Sequence, residues 1–434
     1  MGWVVSNILR SALVKDVSVI FSGLAFSQLI GFALAPVISR LFSPEDFGVA
    51  SSFGAISSII LSFVTLEYAS ALVLPKQTEE AGQLFILSCA TALIITALLG
   101  VVCIVAPGWF FSLLKSSEVL LLFLLVMGTL IGGINTCLQA WCVRTKAFPS
   151  IAVSQVIRGL SNYGLQVGCG LLKCGAIGIV LGNVIGDAFA GANLFRVARG
   201  KLRGFIGTVS YQRLKAIAHA YYDFPLYSAT QNVLNAVSNG LPVLLLGHSY
   251  GIAIAGAYAF GMRLLHVPVS LVTASLRHVV FQRASEAQQN EQPLTPLFLK
   301  VTAGLFCLGI LPTLVLIAAA PKIFVWVFGS QWATAGEFAR YLVIWLFFAF
   351  CNQPAVLLAR VIRIQRTVFL YNVGVLLSRW GLLLIGGRYL SPLECVALFS
   401  VLGAFLNIFL IALVGYVLVK REGSGEIQLL PGSP

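Results

Sequence analysis

The chain has 434 residues, 59% of them hydrophobic and only 10% charged, with a formal net charge of +13 and a mean hydropathy of +0.94. Soluble domains carry about 25% charged residues, so this composition excludes a soluble globular protein. It specifies a polytopic membrane protein. The nine cysteines lie mostly inside apolar runs without a CxxC pair, and they read as small hydrophobes. The first apolar run begins near Val17 with no small-residue cleavage pattern after it, so no signal peptide is expected.

Runs long enough to cross ~30 Å of hydrocarbon number twelve in chain order: 17–38, 47–68, 82–105, 118–141, 151–172, 176–197, 226–247, 255–276, 297–320, 335–357, 368–387 and 392–418. The predicted fold class is therefore all-α integral membrane, about twelve transmembrane helices. Short loops holding Pro, Gly or charge separate the runs, as in "LFSPEDFG" (41–48) and "LVLPKQTEEAG" (72–82).

The basic residues orient the chain. With both termini and every second loop on one side, that side holds nineteen Lys or Arg and the other holds five, Arg40, Lys115, Lys173, Lys322 and Arg388. The bias places both termini in the cytoplasm. It also accounts for the net charge without nucleic acid. The longest cytoplasmic connection, 198–225, contains "RGKLRGFIGTVSYQRLK", and attraction to anionic lipid suffices to explain its charge.

The halves resemble one another. "PVISRLFSPEDFGVASSFGAI" starts at Pro36 and "PVLLLGHSYGIAIAGAYAFGM" at Pro242, while "LSNYGLQVG" (160–168) aligns loosely with "LSRWGLLLI" (377–385). Pro36 and Pro242 are expected to kink or end their helices. Six spans per half keep both halves in one orientation, which implies two six-helix lobes related by a parallel repeat, with a site between them near midplane. The predicted divisions are an N-terminal lobe (1–197), a basic linker (198–225), a C-terminal lobe (226–420) and a cytoplasmic tail (421–434).

Charges inside spans cost at least ~2.5–3.5 kcal/mol at helix centre, and normally face a bundle interior or a watery cavity. Arg158 lies about 10 Å into the fifth span at 1.5 Å per residue. Arg263 and Arg379 lie mid-span in the eighth and eleventh. Guanidinium suits phosphate because it binds bidentately and keeps its charge. Two readings stand side by side: a cationic cavity for an anionic ligand, or a structural ion pair between Arg158 and Asp187, at similar depth in span six. Three deep arginines face one deep acid, with Glu67 near the inner end of span two, and this imbalance favours the cavity.

On span seven Tyr227, Gln231, Asn235 and Asn239 follow each other at i+4, a polar stripe on an otherwise apolar helix. It reads either as a sugar-compatible wall or as interhelical hydrogen bonding. Asn135, Gln139, Asn352 and Gln353 add amides on other spans. Gly178, Gly182 and Gly186 on span six, and Gly164 and Gly168 on span five, read as close helix packing. No HExxH, P-loop or paired-aspartate motif is present, so no enzyme and no metal site are expected.

"SRLFSPEDFGV" (39–49) with "EYASALVLPKQTEEA" (67–81), and "FPLYSATQNVLNAVSNGLPVLLL" (224–246) with "SLRHVVFQRASEA" (275–287), resemble the signatures of Wzx-like lipopolysaccharide and O-antigen flippases. These belong to the multidrug/oligosaccharidyl-lipid/polysaccharide exporter superfamily. The chain departs from the pattern at Glu67 and Ala69, where that family leads one to expect a base and an acid. The resemblance implies a two-lobed transporter in the bacterial inner membrane. It would move undecaprenyl-pyrophosphate-linked oligosaccharide from the cytoplasmic to the periplasmic leaflet by alternating access through a cationic central cavity. It implies no cofactor. Arg158, Arg263, Arg379, Gln231, Asn235 and Asn239 are the expected substrate contacts. Asp187 or Glu67 is the acid that would couple to H+ or Na+. A polysaccharide polymerase and a chain-length regulator are the expected protein partners. The alternative is an ion-coupled small-molecule or drug antiporter of the same fold, which favours deep acids over arginines.

Overall fold

A computed structural model describes residues 2–206, 210–289, 292–362 and 364–423. The expected tail from residue 424 onward and part of the basic linker (207–209) lie outside the described residues. Among the described residues every regular element is helical: α1 (Gly2–Leu41), α2 (Pro44–Leu61), α3 (Tyr68–Ala71), α4 (Thr78–Val105), α5 (Pro107–Leu114), α6 (Val119–Arg144), α7 (Phe148–Leu171), α8 (Gly175–Ile206), α9 (Tyr211–Ala220), α10 (Thr230–Tyr250), α11 (Ile252–Gln289), α12 (Thr295–Phe328), α13 (Ala333–Cys351), α14 (Gln353–Val361), α15 (Gln365–Tyr389) and α16 (Pro392–Gly423). A π-helical turn, Phe224–Ala229, leads into α10.

Nine stretches are long and apolar enough to cross a membrane among the described residues, so the chain is a multi-pass membrane protein. They coincide with nine of the twelve expected spans. The other three expectations fall on α2, α7 and α10, which form helices whose apolar sequence is interrupted by polar side chains.

Two expected boundaries need correction. The run 47–68 is not one helix. α2 ends at Leu61, and the chain turns through Leu66 (φ 47°) and Glu67 (φ 59°) before α3. Consecutive left-handed non-glycine residues are costly and persist only where their surroundings enforce them; here Val64 and Thr65 are buried in the same turn. The helix ladder of the tenth span is interrupted at Asn352, between α13 and α14, because Pro354 has no N–H to donate. Pro36 and Pro242 do not end their helices: α1 and α10 run past them.

The chain divides into two compact units, Met1–His248 and Ser249–Pro434. In the first, α7 is seated between α1 and α8 by glycines. A Cβ on Gly23 of α1 would stand 2.5 Å from the Ala152 carbonyl oxygen, and one on Gly159 of α7 would stand 2.5 Å from Ser27 Oγ. On α8, a Cβ at Gly178 would meet Cys169 at 2.7 Å, one at Gly182 the Asn162 carbonyl oxygen at 2.8 Å, and one at Gly186 the Arg158 carbonyl oxygen at 3.0 Å. The α8 glycines therefore pack as read from the sequence. Gly164 and Gly168 do not: open space surrounds both.

This contrast yields a prediction. Gly182→Leu forces α7 and α8 apart and should cost about 1–3 kcal/mol as overpacking. Gly168→Ala gains helix propensity, about 0.5–1 kcal/mol, without a clash. Thermal unfolding in detergent should move down for the first and level or up for the second.

One end of the first unit is closed by a core of Tyr68, Leu72, Leu84, Trp141, Ile151 and neighbouring apolar side chains. Arg144, the last residue of α6, donates from Nη1 to the carbonyls of Leu72 and Pro75 at 2.9 and 2.7 Å, and from Nη2 to that of Gln77 at 3.2 Å. One guanidinium thus fixes the connection between α3 and α4. The second unit has a comparable tie: Glu422 of α16 accepts from the backbone N–H groups of Leu294 and Thr295 at 2.7 and 2.9 Å. It caps the start of α12, where a negative charge meets the positive helix end.

Candidate functional site

The stretch SQVIRGLSNYGLQVG (154–168) shows why α7 is polar. Ser154, Arg158, Asn162 and Gln166 recur every four residues, which puts them in one row along the helix. That row meets α8. Asn193 Nδ2 donates to Ser154 Oγ at 2.8 Å. Asn162 lies against Gly182 and Gly186, and its Oδ1 accepts from Gln166 Nε2 at 2.7 Å. Arg158 Nε lies 2.5 Å from Asp187 Oδ1, and Nη2 donates to Oδ2 at 3.4 Å. Both sequence readings of Arg158 anticipated this acid or a ligand; the structure forms the pair.

The pair stands in a polar cavity of about 190 Å³ inside the first unit, walled by α2, α6, α7 and α8. Asn135, Gln139, Ser154 and Gln155 join Arg158 and Asp187 in its lining. Asn135 Nδ2 donates to the Asp187 backbone carbonyl at 2.7 Å, tying α6 to the acid. The Arg158 side chain remains 46% exposed and that of Asp187 25%, so the guanidinium retains open donors on the cavity side. Pockets for drug-sized ligands run ~300–1,000 Å³. This cavity is smaller, and fits water, an ion or one anionic group but not a glycan.

The other expected residues are dispersed. Gln231, Asn235 and Asn239 are all exposed along one face of α10, and Gly240 is buried on the opposite face; Pro242 and Leu246, which continue the amides' own face toward the end of the helix, are buried. A Cβ on Gly240 would stand 3.1 Å from that of Ala55 of α2, so the glycine side is the packed one. None of the three amides has a hydrogen-bond partner among the described residues. The stripe is thus a free polar surface, not a set of interhelical bonds. Replacing all three by leucine should leave unfolding in detergent unchanged and abolish transport in cells; retained transport would assign that face to lipid.

Glu67 does not line the cavity; its carboxylate accepts from the Ser70 hydroxyl beside the break before α3. Arg263 is half-buried on α11 in the second unit. Arg340 on α13 lies 3.4 Å from Glu337 one turn earlier.

Arg379 has a different setting. Its guanidinium carbon lies 4.3 Å from the Trp345 ring centroid and 5.1 Å from that of Phe399. Tyr258, buried, packs edge-on against Phe399. The charge is therefore held by π faces instead of a carboxylate. The register that aligns 160–168 with 377–385 pairs Asn162 with Arg379 and Gly186 with Gly403. The packing follows: a Cβ on Gly403 would stand 3.1 Å from Arg379 Nη2, as one on Gly186 would stand 3.1 Å from Asn162 Cβ. Each half thus sets a polar side chain of one helix against a glycine of the next.

The polar row on α7 was the missed signal, and its i+4 spacing makes it readable. The Arg144 clamp and the aromatic box have no such spacing, because their partners come from separate helices.

Three comparisons relate the chain to known proteins. A family model described as "Polysaccharide biosynthesis protein" matches residues 37–337. The succinoglycan biosynthesis transport protein ExoT of Rhizobium meliloti (strain 1021) is 24% identical over 322 residues, which cover 70% of this chain and 60% of that protein. The chain thus matches less than two thirds of that relative's length. Among solved structures, the lipid II flippase MurJ in an inward closed conformation has a TM-score of 0.71 at 14% identity, covering 95% of this chain and 93% of that one. An inward-facing multidrug resistance MATE family transporter of the MOP superfamily has a TM-score of 0.62 at 15% identity, covering 94% and 96%. At these identities the two likenesses establish a shared fold.

Proposed function

The chain belongs to the polysaccharide biosynthesis protein family, and from that membership we propose that it flips undecaprenyl-pyrophosphate-linked oligosaccharide repeat units across a bacterial inner membrane. The direction is from the cytoplasmic to the periplasmic leaflet, by alternating access. Twelve membrane-spanning helices in two six-helix lobes, with both termini cytoplasmic, complete the reading. The observation that carries it is Arg158, a permanent cation kept half-exposed in a polar cavity in a chain of this family.

The physical problem is the headgroup. A pyrophosphate and a string of hydroxyls cannot enter hydrocarbon without losing hydration worth many kcal/mol. Arg158 offers a charge-assisted fork to a phosphate oxygen pair. Between passages Asp187 holds that fork in place. The amides of α10 offer hydrogen bonds to sugar hydroxyls in place of water, and the polyprenyl tail remains in lipid. A coupling ion, H+ or Na+, that neutralises Asp187 releases Arg158 from its resting partner. Arg263 remains a proposed contact. Arg379, in its aromatic box, is proposed to position α15 against α13 and α16. The protein performs no bond chemistry itself and needs no cofactor. Its partners are the lipid-linked glycan, the bilayer and the polymerase machinery that consumes the flipped unit.

The test is cellular. Deleting the gene should accumulate lipid-linked repeat units and remove surface polysaccharide. Unchanged surface polymer without accumulation, in a strain with no second flippase, favours the alternative of an ion-coupled small-molecule antiporter.

A further inference from the structure

The turn from α7 to α8 reads CGLLKCG, residues 169–175. It ends α7 in a Schellman motif. Lys173 takes the left-handed position (φ 56°). Cys174 N donates to the Cys169 carbonyl at 3.0 Å, and Lys173 N to that of Gly170 at 3.0 Å. Such a motif brings together the side chains that its 6→1 bond joins, usually as an apolar contact. Here both are cysteines, and their thiols lie within interaction range of each other. The end of α6 supplies a comparison. Lys146 (φ 56°) closes the same motif there, with Ala147 N donating to the Cys142 carbonyl at 2.8 Å. Its side-chain contact pairs cysteine with alanine and has no bridge to make.

We infer that Cys169 and Cys174 are a modification site: they close into a disulfide that staples the end of α7. Three observations support it. The backbone bond holds the two residues near the Cα separation of ~4.4–6.8 Å that a disulfide requires. Cys174 is exposed and Cys169 partly so, which admits an exchange partner. The turn lies on the side opposite the termini in the proposed orientation, where disulfides form and persist. The inference rests on that part of the proposed function. The other close thiol pair, Cys89 and Cys137, has one member fully buried between α4 and α6 and offers no such access.

The step is thiol–disulfide exchange with a disulfide-bearing oxidoreductase. The Cys174 thiolate attacks the oxidant's disulfide, forming a mixed disulfide and releasing one thiolate of the oxidant. The Cys169 thiolate then attacks the Cys174 sulfur and expels the second. Two thiol protons go to solvent or to the departing thiolates, and two electrons reduce the oxidant to a dithiol.

Trypsin cleaves after Lys173, between the two cysteines, so the test is peptide mass spectrometry on full-length protein from acid-quenched membranes. The expected result is that the two tryptic fragments stay joined, lighter by two hydrogens, until a reductant separates them. Free thiols on both, alkylated without reduction, overturn the inference. A second measurement separates the causes. In the Cys169→Ser variant, Cys174 should react with a membrane-impermeant maleimide applied from the periplasmic side. Reaction there with free thiols in the wild type rejects the disulfide and retains the orientation. Absence of reaction with free thiols in the wild type rejects both.

Discussion

Arg158→Gln should reduce transport of lipid-linked glycan about ten- to hundredfold while leaving the fold nearly intact. A hydrogen bond to a charged group contributes about 1.5–3 kcal/mol, and each 1.4 kcal/mol is about tenfold in affinity. The structural cost is small because the pair with Asp187 is partly exposed, and exposed pairs contribute about 1 kcal/mol or less. The charge swap Arg158→Asp with Asp187→Arg sharpens the result. It restores an ion pair across α7 and α8 but moves the cation to the other helix. Detergent unfolding should return toward wild type, while surface polysaccharide should not. Recovery of transport by the swap would make the pair a structural clasp and nothing more.

Arg379→Ala should act in the opposite way, through stability. The side chain lies over Trp345 and Phe399 at 4.3 and 5.1 Å. A desolvated cation–π contact contributes ~2 kcal/mol or more, and truncation leaves a void among buried rings. The expected loss is about 2–4 kcal/mol, with transport falling in step with the amount of folded protein. The reason lies in how α15 is held. Much of that helix is exposed apolar surface, including Phe369, Leu370, Leu377 and Ile385. Its polar ties are few: Tyr371 Oη donates to the Leu406 carbonyl, and Tyr250 Oη to those of Gly386 and Leu390, each at 2.9 Å. Arg379 sits between these ties. Arg379→Lys should recover only part of the loss, since an ammonium lacks the plane that stacks on indole. A well-folded Arg379→Ala protein that fails to transport would give Arg379 a direct contact with substrate.

These two arginines were alike in the sequence, each deep in an apolar run, and the structure separates them. Asp187 was legible as a partner of Arg158 because both lie in adjacent spans at matching depth. The box around Arg379 was not, because Trp345 and Phe399 come from α13 and α16 and read as ordinary membrane aromatics. The long spans were legible because hydrocarbon thickness sets a run length that few other folds imitate. The break at Leu66–Glu67 was not: neither residue signals a left-handed turn, and the buried Val64 and Thr65 beside it hold the conformation. The row Ser154, Arg158, Asn162, Gln166 was readable by spacing alone. The close seating of α7 on α8 depends on which glycines face inward. Gly182 does and Gly168 does not, a distinction that a GxxxG pattern does not encode.

The central claim is that this chain moves a lipid-linked glycan headgroup across the bilayer with Arg158 as the cation that receives it. The most direct test is purified protein in proteoliposomes loaded with undecaprenyl-pyrophosphate-linked oligosaccharide on one leaflet. An impermeant glycan-modifying reagent then reports the fraction exposed on each side over time. Wild-type protein should equilibrate the glycan between leaflets, and Arg158→Gln protein should slow this at least about tenfold. Glycan confined to its starting leaflet with wild-type protein, under both H+ and Na+ gradients, would contradict the account.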